Sequence, residues 1–238
     1  MIRLLAVAVL LAACGSPVPT PSSPPTPTPS PLPTPSVGCA SVDITIGCTR
    51  TPDLLTLPGP GRQLEPSGWY ETTGFEPRLS FTVQGDVIWT TVQQFPGFFD
   101  IQDDPGSLDV VAVQFTRATG FDTAEQAAAD IEARDNLLVG ERKQVTVRSS
   151  NDGLRGIRLV VETTDPAHSD PVIFRPVLNT PPGPVSIGSG RRLEINLFDV
   201  NGQVLAILVG GSIAEWDRAK QHSRPVLDSV VVDDSTFG

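Results

Sequence analysis

The stretch from Arg191 to Asp233 constrains the fold most, because strand, turn, helix and strand signals follow one another there without conflict. Leu193 to Val200 and Gln203 to Val209 are apolar runs separated by Asn201-Gly202, a pair that accepts the positive φ angles of a type I′ turn. They predict a β-hairpin. Gly210-Gly211 is expected to break the second strand, and Ser212 with Glu215 three residues on has the form of a capping box opening a helix that carries Ile213, Trp216 and Ala219 on one side. Pro225 is expected to end that helix or to begin a short second turn, and Val230-Val231-Val232 reads as a closing strand. A helix with one apolar face needs a surface to cover, and the hairpin supplies it.

Upstream, Leu79 to Val83, Val87 to Val92, Phe98 to Gln102 and Val110 to Thr116 are apolar or β-branched runs divided by Gly- and Pro-containing turns. Such short connections favour antiparallel neighbours. Thr123 to about Leu138 reads as a first helix, with Thr123 and Gln126 as a capping box, Ala124, Ala128 and Ile131 as its apolar stripe, and Gly140 near its C-cap. Val145 to Arg148 and Ile157 to Thr163 predict a hairpin around Asn151-Asp152-Gly153, and Val172 to Val177 one further strand. Thr163 to Pro171 and Asn179 to Gly190, rich in Pro, Gly and Asp, read as surface loops.

The N-terminal part has a different composition. Met1-Ile2-Arg3 and the apolar run Leu4 to Ala13 form a signal peptide too short to span a bilayer permanently. Its end, Leu11-Ala12-Ala13-Cys14, resembles the lipobox of bacterial lipoproteins. That resemblance implies cleavage before Cys14 and a diacylglyceryl thioether on it, an anchor to the outer face of the cytoplasmic membrane. At about 0.8 kcal/mol per buried methylene, two or more acyl chains hold a protein at a membrane where one does not. From Ser16 to Ser36 the chain is almost wholly Pro, Ser and Thr. It cannot bury enough surface to offset the ordering of its backbone, so residues 14–37 are expected to act as a disordered, semi-rigid linker reaching as far as ~60 Å. Cys39 and Cys48 are then an even pair in an exported chain, and a disulfide between them would stabilise the segment 38–53 by about 2 to 3 kcal/mol. About 200 residues remain for a folded domain, expected over 54–238.

A second resemblance covers most of Arg62 to Asp233. Gly68-Trp69-Tyr70-Glu71-Thr72, Phe75-Glu76-Pro77-Arg78-Leu79-Ser80-Phe81-Thr82-Val83, Trp89, Val145-Thr146-Val147 before Gly153-Leu154-Arg155-Gly156, and Val226-Leu227-Asp228-Ser229-Val230 occur in an order similar to exported lipoproteins of the Mog1/PsbP-like fold, including those of the LpqN type. It implies an α+β domain in which a central antiparallel sheet of about six strands is sandwiched by packed helices. It also implies a binding or envelope-assembly role without catalysis. The longer Ser149 to Asp152 turn departs from the pattern and leaves the register there open.

The net charge of −10 disfavours nucleic acid as a partner, whose phosphates require clustered Lys and Arg. His168 lies in an acidic loop with Asp165 and Asp170, where a general base is conceivable but a solvated loop is the simpler reading. His222 falls near the expected end of the last helix, where the helix dipole accounts for it. Gly188-Ser189-Gly190 lacks the glycine two residues before the serine that a nucleophile elbow requires. Asp100, Asp103, Asp104 and Asp109 crowd ten residues but depart from the EF-hand spacing, so neither metal nor cofactor is expected. Trp69, Tyr70, Phe95, Phe98 and Phe99 lie near turns as contact residues often do, and are the candidate binding residues; entry into the core is the alternative. The expectation is a monomeric, lipid-anchored envelope protein that binds an envelope protein, lipid or glycan. The alternatives are a hydrolase acting on an envelope polymer or lipid, and a stalked domain with a structural role alone.

Overall fold

Alternation of buried and exposed positions runs through most of the chain that the computed structural model describes, residues 53–167 and 172–235. The expected signal peptide, Cys14, the linker, Cys39, Cys48, His168 and Asp170 lie outside the described residues. In chain order the elements are β1 (Leu54–Thr56), β2 (Arg62–Gln63), β3 (Trp69–Glu71), β4 (Arg78–Thr82), β5 (Thr90–Phe95), β6 (Phe98–Gln102), β7 (Ala112–Ala118), α1 (Ala124–Glu132), β8 (Leu137–Ser149), β9 (Leu154–Thr163), β10 (Phe174–Thr180), β11 (Gly183–Gly188), β12 (Arg191–Val200), β13 (Gln203–Ser212), α2 (Trp216–Ser229) and β14 (Val231–Asp233). Twelve strands form one sheet in the order β1-β3-β4-β14-β8-β9-β12-β13-β7-β6-β5-β2, while β10 and β11 pair as a separate ribbon. Neighbours in the sheet are antiparallel except β1 with β3 and β14 with β8.

The hairpin predicted around Asn201-Gly202 is β12 and β13, with Val200 opposite Gln203 and φ angles of 49° and 76° at the two turn residues. It lies mid-sheet and is buried on both faces. Leu193, Ile195, Leu197, Val204, Ala206 and Leu208 point to one side, and Phe198, Val200, Leu205, Ile207 and Val209 to the other.

On the second side the sheet closes over itself. Phe81 of β4, third in the strand order, has its ring 5.9 Å from Phe99 of β6 and 5.5 Å from Phe115 of β7, tenth and ninth in the order. A flat sheet would hold the third and ninth strands roughly 29 Å apart at about 4.8 Å per strand. The sheet must therefore curl, and the three stacked rings mark where its halves meet. Each ring, fully buried, contributes about 1.5 to 3 kcal/mol. Helix α2 lies in the concave inner face against β4 and β13, burying Trp216, Ala219 and Val226.

The outer face of β9, β12 and β13 is covered by α1 and by the β10–β11 ribbon. Helix α1 presents the small side chains of Ala124, Ala127 and Ala128 beside Ile131. Thr123 Oγ1 accepts the Gln126 N–H at 3.2 Å, and Gln126 Oε1 accepts the Asp122 N–H at 2.9 Å, so the capping box closes one residue further out than its usual form. Both clusters of buried apolar side chains fall inside Arg50–Gly238, which is one compact unit with its own core.

The expected α+β sandwich of about six strands with packed helices, the Mog1/PsbP-like arrangement, is thus corrected to a mostly β domain with a large mixed sheet and two helices. Three physical reasons account for the difference. The first helix stops at Glu132 rather than near Leu138, because Leu137 to Val147 pairs with β9; Gly140 lies in that strand at a bulge and is no C-cap. The segment read as a loop from Asn179 to Gly190 is mostly strand, since Pro181-Pro182 occupies only the turn and Val185 and Ile187 alternate with polar neighbours. The edge strands β1 and β2 have three and two residues, too few for periodicity to register.

The last helix departs similarly. Gly210-Gly211 does not break β13, which continues through Ser212, and α2 begins at Trp216 without a side-chain cap. A Cβ on Gly211 would lie 2.7 Å from the Ala219 Cβ, so the glycine is there to let α2 approach the strand. Pro225 sits inside the helix instead of ending it.

Candidate functional site

Strand alternation builds a polar and aromatic surface on the outer face of β5, β6 and β7. Phe99 and Ile101 of β6, with Val113 and Phe115 of β7, enter the inner core, which sends Phe98, Asp100, Gln102 and Gln114 outward. Register then forms two cross-strand rows. One runs Phe95, Phe98, Thr116, and the next runs Gln93, Asp100, Gln114. A bulge between Thr91 and Gln93 brings Gln93 into that second row.

The β10–β11 ribbon arches over these rows. Between them lies an open groove of about 720 Å³, walled by Gln93, Phe95, Phe98 and Gln114 on the sheet side and by Thr180, Pro182, Val185 and Ser186 on the ribbon side. A smaller hollow of about 210 Å³ adjoins it, sharing Gln114, Val185 and Ser186 and reaching Gln102 and Phe174. Phe95 at one end is 49% exposed and Phe174 at the other 65%, high values for phenylalanine. The Phe95 and Phe98 rings lie 6.3 Å apart and tilted by 41°.

Asp100 is the electrostatic feature of this surface. It is 3% exposed, its Oδ2 accepts the Gln102 Nε2 at 2.9 Å, and its Oδ1 has no hydrogen-bond partner among the described residues. Burial pushes its carboxyl up to about 6, against partial relief from the Gln102 and Gln114 amides. The result is an acid poised near neutrality in a row of side-chain amides, a combination common at functional sites.

The five aromatic candidates are not brought together. Phe95 and Phe98 wall the groove. Phe99 is in the core, stacked on Phe115 at 4.4 Å, and Tyr70 is buried beside Phe81 with its hydroxyl accepting the Glu65 N–H. Trp69 is half-buried on β3, whose two faces alternate between it and Tyr70. The four clustered aspartates are also separated: Asp100 is buried in the outward row between Gln93 and Gln114, whereas Asp103 accepts the Val111 N–H at 2.8 Å and ion-pairs with Arg218 at 3.0 Å. Among the described residues no group of three or more His, Cys, Asp or Glu is placed to hold a metal ion.

His222 lies in the middle of α2, not near its end, because the helix runs through Pro225. Its Nδ1 is 2.7 Å from Asp103 Oδ2. Asp165 is held by two 2.8 Å hydrogen bonds from Arg175, which keep its carboxyl below the usual range. Ser189 is buried, and its hydroxyl accepts the Ile173 N–H at 3.3 Å.

Sequence reasoning missed Gln93, Gln102 and Gln114 because glutamine on a strand carries no motif. The available signal was Gln114 alone among Val111, Val113 and Phe115, a polar residue one step out of an apolar alternation. No protein-family model matches the sequence, and no curated protein matches it.

Proposed function

We propose that this chain is an envelope-tethered binding protein, and that the groove beneath the β10–β11 ribbon takes a polyhydroxylated, glycan-like segment of the envelope. The leader, the lipobox-like Leu11 to Cys14 and the Pro/Ser/Thr stalk support the location, a lipid on Cys14 holding the domain at the outer face of the cytoplasmic membrane. The observation that carries the ligand class is the aromatic pair Phe95 and Phe98 lying beside the Gln93 and Gln114 amides in one open groove.

Sugar rings have an apolar C–H face and a rim of hydroxyls. Aromatic side chains fit the first, and side-chain amides, each both donor and acceptor, fit neighbouring hydroxyls on the second. Binding is favoured over hydrolysis because Asp100 is the only carboxyl in these rows, and most glycosidases use two.

The experiment is an array of neutral oligosaccharides probed with the unit Arg50–Gly238, beside the variants Phe95→Ala and Gln114→Ala. Sugar retention that weakens in both variants supports the reading. A domain that retains no sugar but captures an envelope protein through the same residues transfers the groove to a protein partner. For the anchor, Cys14→Ser should release the chain from the membrane fraction, and unchanged fractionation would remove the lipid.

A further inference from the structure

A second concavity lies on the opposite, inner face of the sheet, where α2 stands off from β8, β9 and β12. Its volume is about 320 Å³. Val145 and Val147 of β8, Phe198 of β12, Ile207 of β13 and Leu227 of α2 make its apolar part, and Thr146, Arg158 of β9, Asn196, and Arg224 and Asp228 of α2 line the rest. This is where the inner face changes character. Phe198 and Ile207 belong to the core, but the next inward positions along β12 are Asn196 and Glu194, and Asn196 faces Arg158 across the strand pair.

Arg158 is held loosely for a guanidinium that is only 18% exposed. Its Nη2 is 3.1 Å from Glu141, its Nη1 is 3.9 Å from Glu194, and its buried Nε has no hydrogen-bond partner among the described residues. Glu194 already accepts the Asn196 amide at 3.1 Å. Taking an arginine out of water is unfavourable unless its donors are satisfied, and this one retains donor capacity beside the concavity it lines. Arg224 pairs with Asp228, one turn along α2; both are exposed and line the concavity, and as an i,i+4 surface pair they hold each other weakly.

We infer that this concavity binds a small amphiphilic anion, a carboxylate or phosphate on a short hydrocarbon body. The head takes the free donor capacity of Arg158 and reaches Arg224, and the body packs on Phe198, Ile207 and Val147. A diacyl lipid is too large for the space, so the ligand is a single-chain or small aromatic acid. The site is on the other face of the sheet from the ribbon groove and does not depend on the glycan reading.

Titration calorimetry of the unit Arg50–Gly238 with octanoate and with octyl phosphate tests this, with octan-1-ol and octylamine as uncharged and cationic controls. At least one anion is expected to bind ten-fold or more tightly than either control, the stronger of the two naming the head group. Arg158→Gln should weaken it at least ten-fold, and Val145→Phe, which fills the space from a half-buried position, should abolish it. Arg224→Gln serves in place of Arg158→Gln if that variant does not fold. Absence of heat with both anions, equal binding of octan-1-ol, or affinity unchanged in the arginine and Val145→Phe variants would overturn the assignment. Sugar retention by Arg158→Gln should equal that of the parent, which separates failure here from failure at the ribbon groove.

Discussion

Asp103 Oδ2 lies 2.7 Å from His222 Nδ1 and joins the loop after β6 to the middle of α2. The same oxygen accepts Arg218 Nη2 at 3.0 Å, and the other carboxyl oxygen accepts the Val111 N–H at 2.8 Å. One nearly buried carboxylate thus satisfies three donors from two elements. Asp103→Ala leaves those donors without it and is expected to cost about 2 to 3 kcal/mol in urea unfolding, reduced from the full cost of breaking a buried pair because Arg218 is one-third exposed. Asp103→Asn, which keeps the bond to Val111, should cost less. Equal losses in the two variants would mean that the Val111 bond contributes nothing and that the carboxylate charge carries the whole effect.

Asp100 sets a pH dependence of opposite sign to that of an ion-paired aspartate. Its folded value of about 6 is above the unfolded 3.8, so the native state holds the proton more tightly. Its own contribution to stability is therefore greatest below about pH 4, falls as pH rises towards and through 6, and levels above. The fall amounts to roughly 3 kcal/mol at about 1.36 kcal/mol per unit. Asp100→Asn should remove this slope and be the more stable protein at pH 7.5. Chemical denaturation at pH 4.5 and 7.5 checks it, and identical slopes for parent and variant would refute it.

Gly211→Ala should destabilise the domain by about 1 to 3 kcal/mol, because its new methyl would have to displace either β13 or α2 at Ala219. The complementary change Ala219→Gly should recover part of the loss in the double variant. Thermal unfolding of the four proteins of the cycle gives the coupling directly, and strictly additive losses would dismiss the contact.

At the groove, Phe95→Ala is expected to weaken glycan retention five-fold or more while leaving the unfolding midpoint within a degree or two, since half of that ring is already in solvent. Phe99→Ala should do the reverse, costing about 3 to 5 kcal/mol of stability because it opens the stack with Phe81 and Phe115. A Phe95→Ala variant that unfolds early would make that residue structural.

The contrast between Phe95 and Phe99 also marks how far the sequence could be read. Both are aromatic residues near the same Pro-Gly turn, and the pairing of β5 with β6, which sets Phe95 opposite Phe98 and leaves Phe99 on the other face, decides which enters the core. The Asn201-Gly202 hairpin and the Thr123 cap were legible because each is a local signal with its own chemistry. The curl of the sheet was not. It depends on Phe81 meeting Phe99 and Phe115 across a long sequence separation, and no local pattern records that encounter. Charged residues concealed β8, whose Glu141-Arg142-Lys143 lacks an apolar alternation but pairs with β9, while Arg142 reaches outward to Glu125 and Glu132 of α1. Asp100 was visible as one of four neighbouring acids, but its burial and its row of glutamines come from pairing with β5 and β7.

The brevity of the two outermost strands has a bearing on how the ends of the sheet meet other chains. A twelve-membered sheet would ordinarily offer long rows of unsatisfied N–H and C=O groups to any passing chain, yet here the rows end in strands of three and two residues. At these two ends another chain finds almost no backbone template to extend, so an encounter there is left to side-chain surfaces.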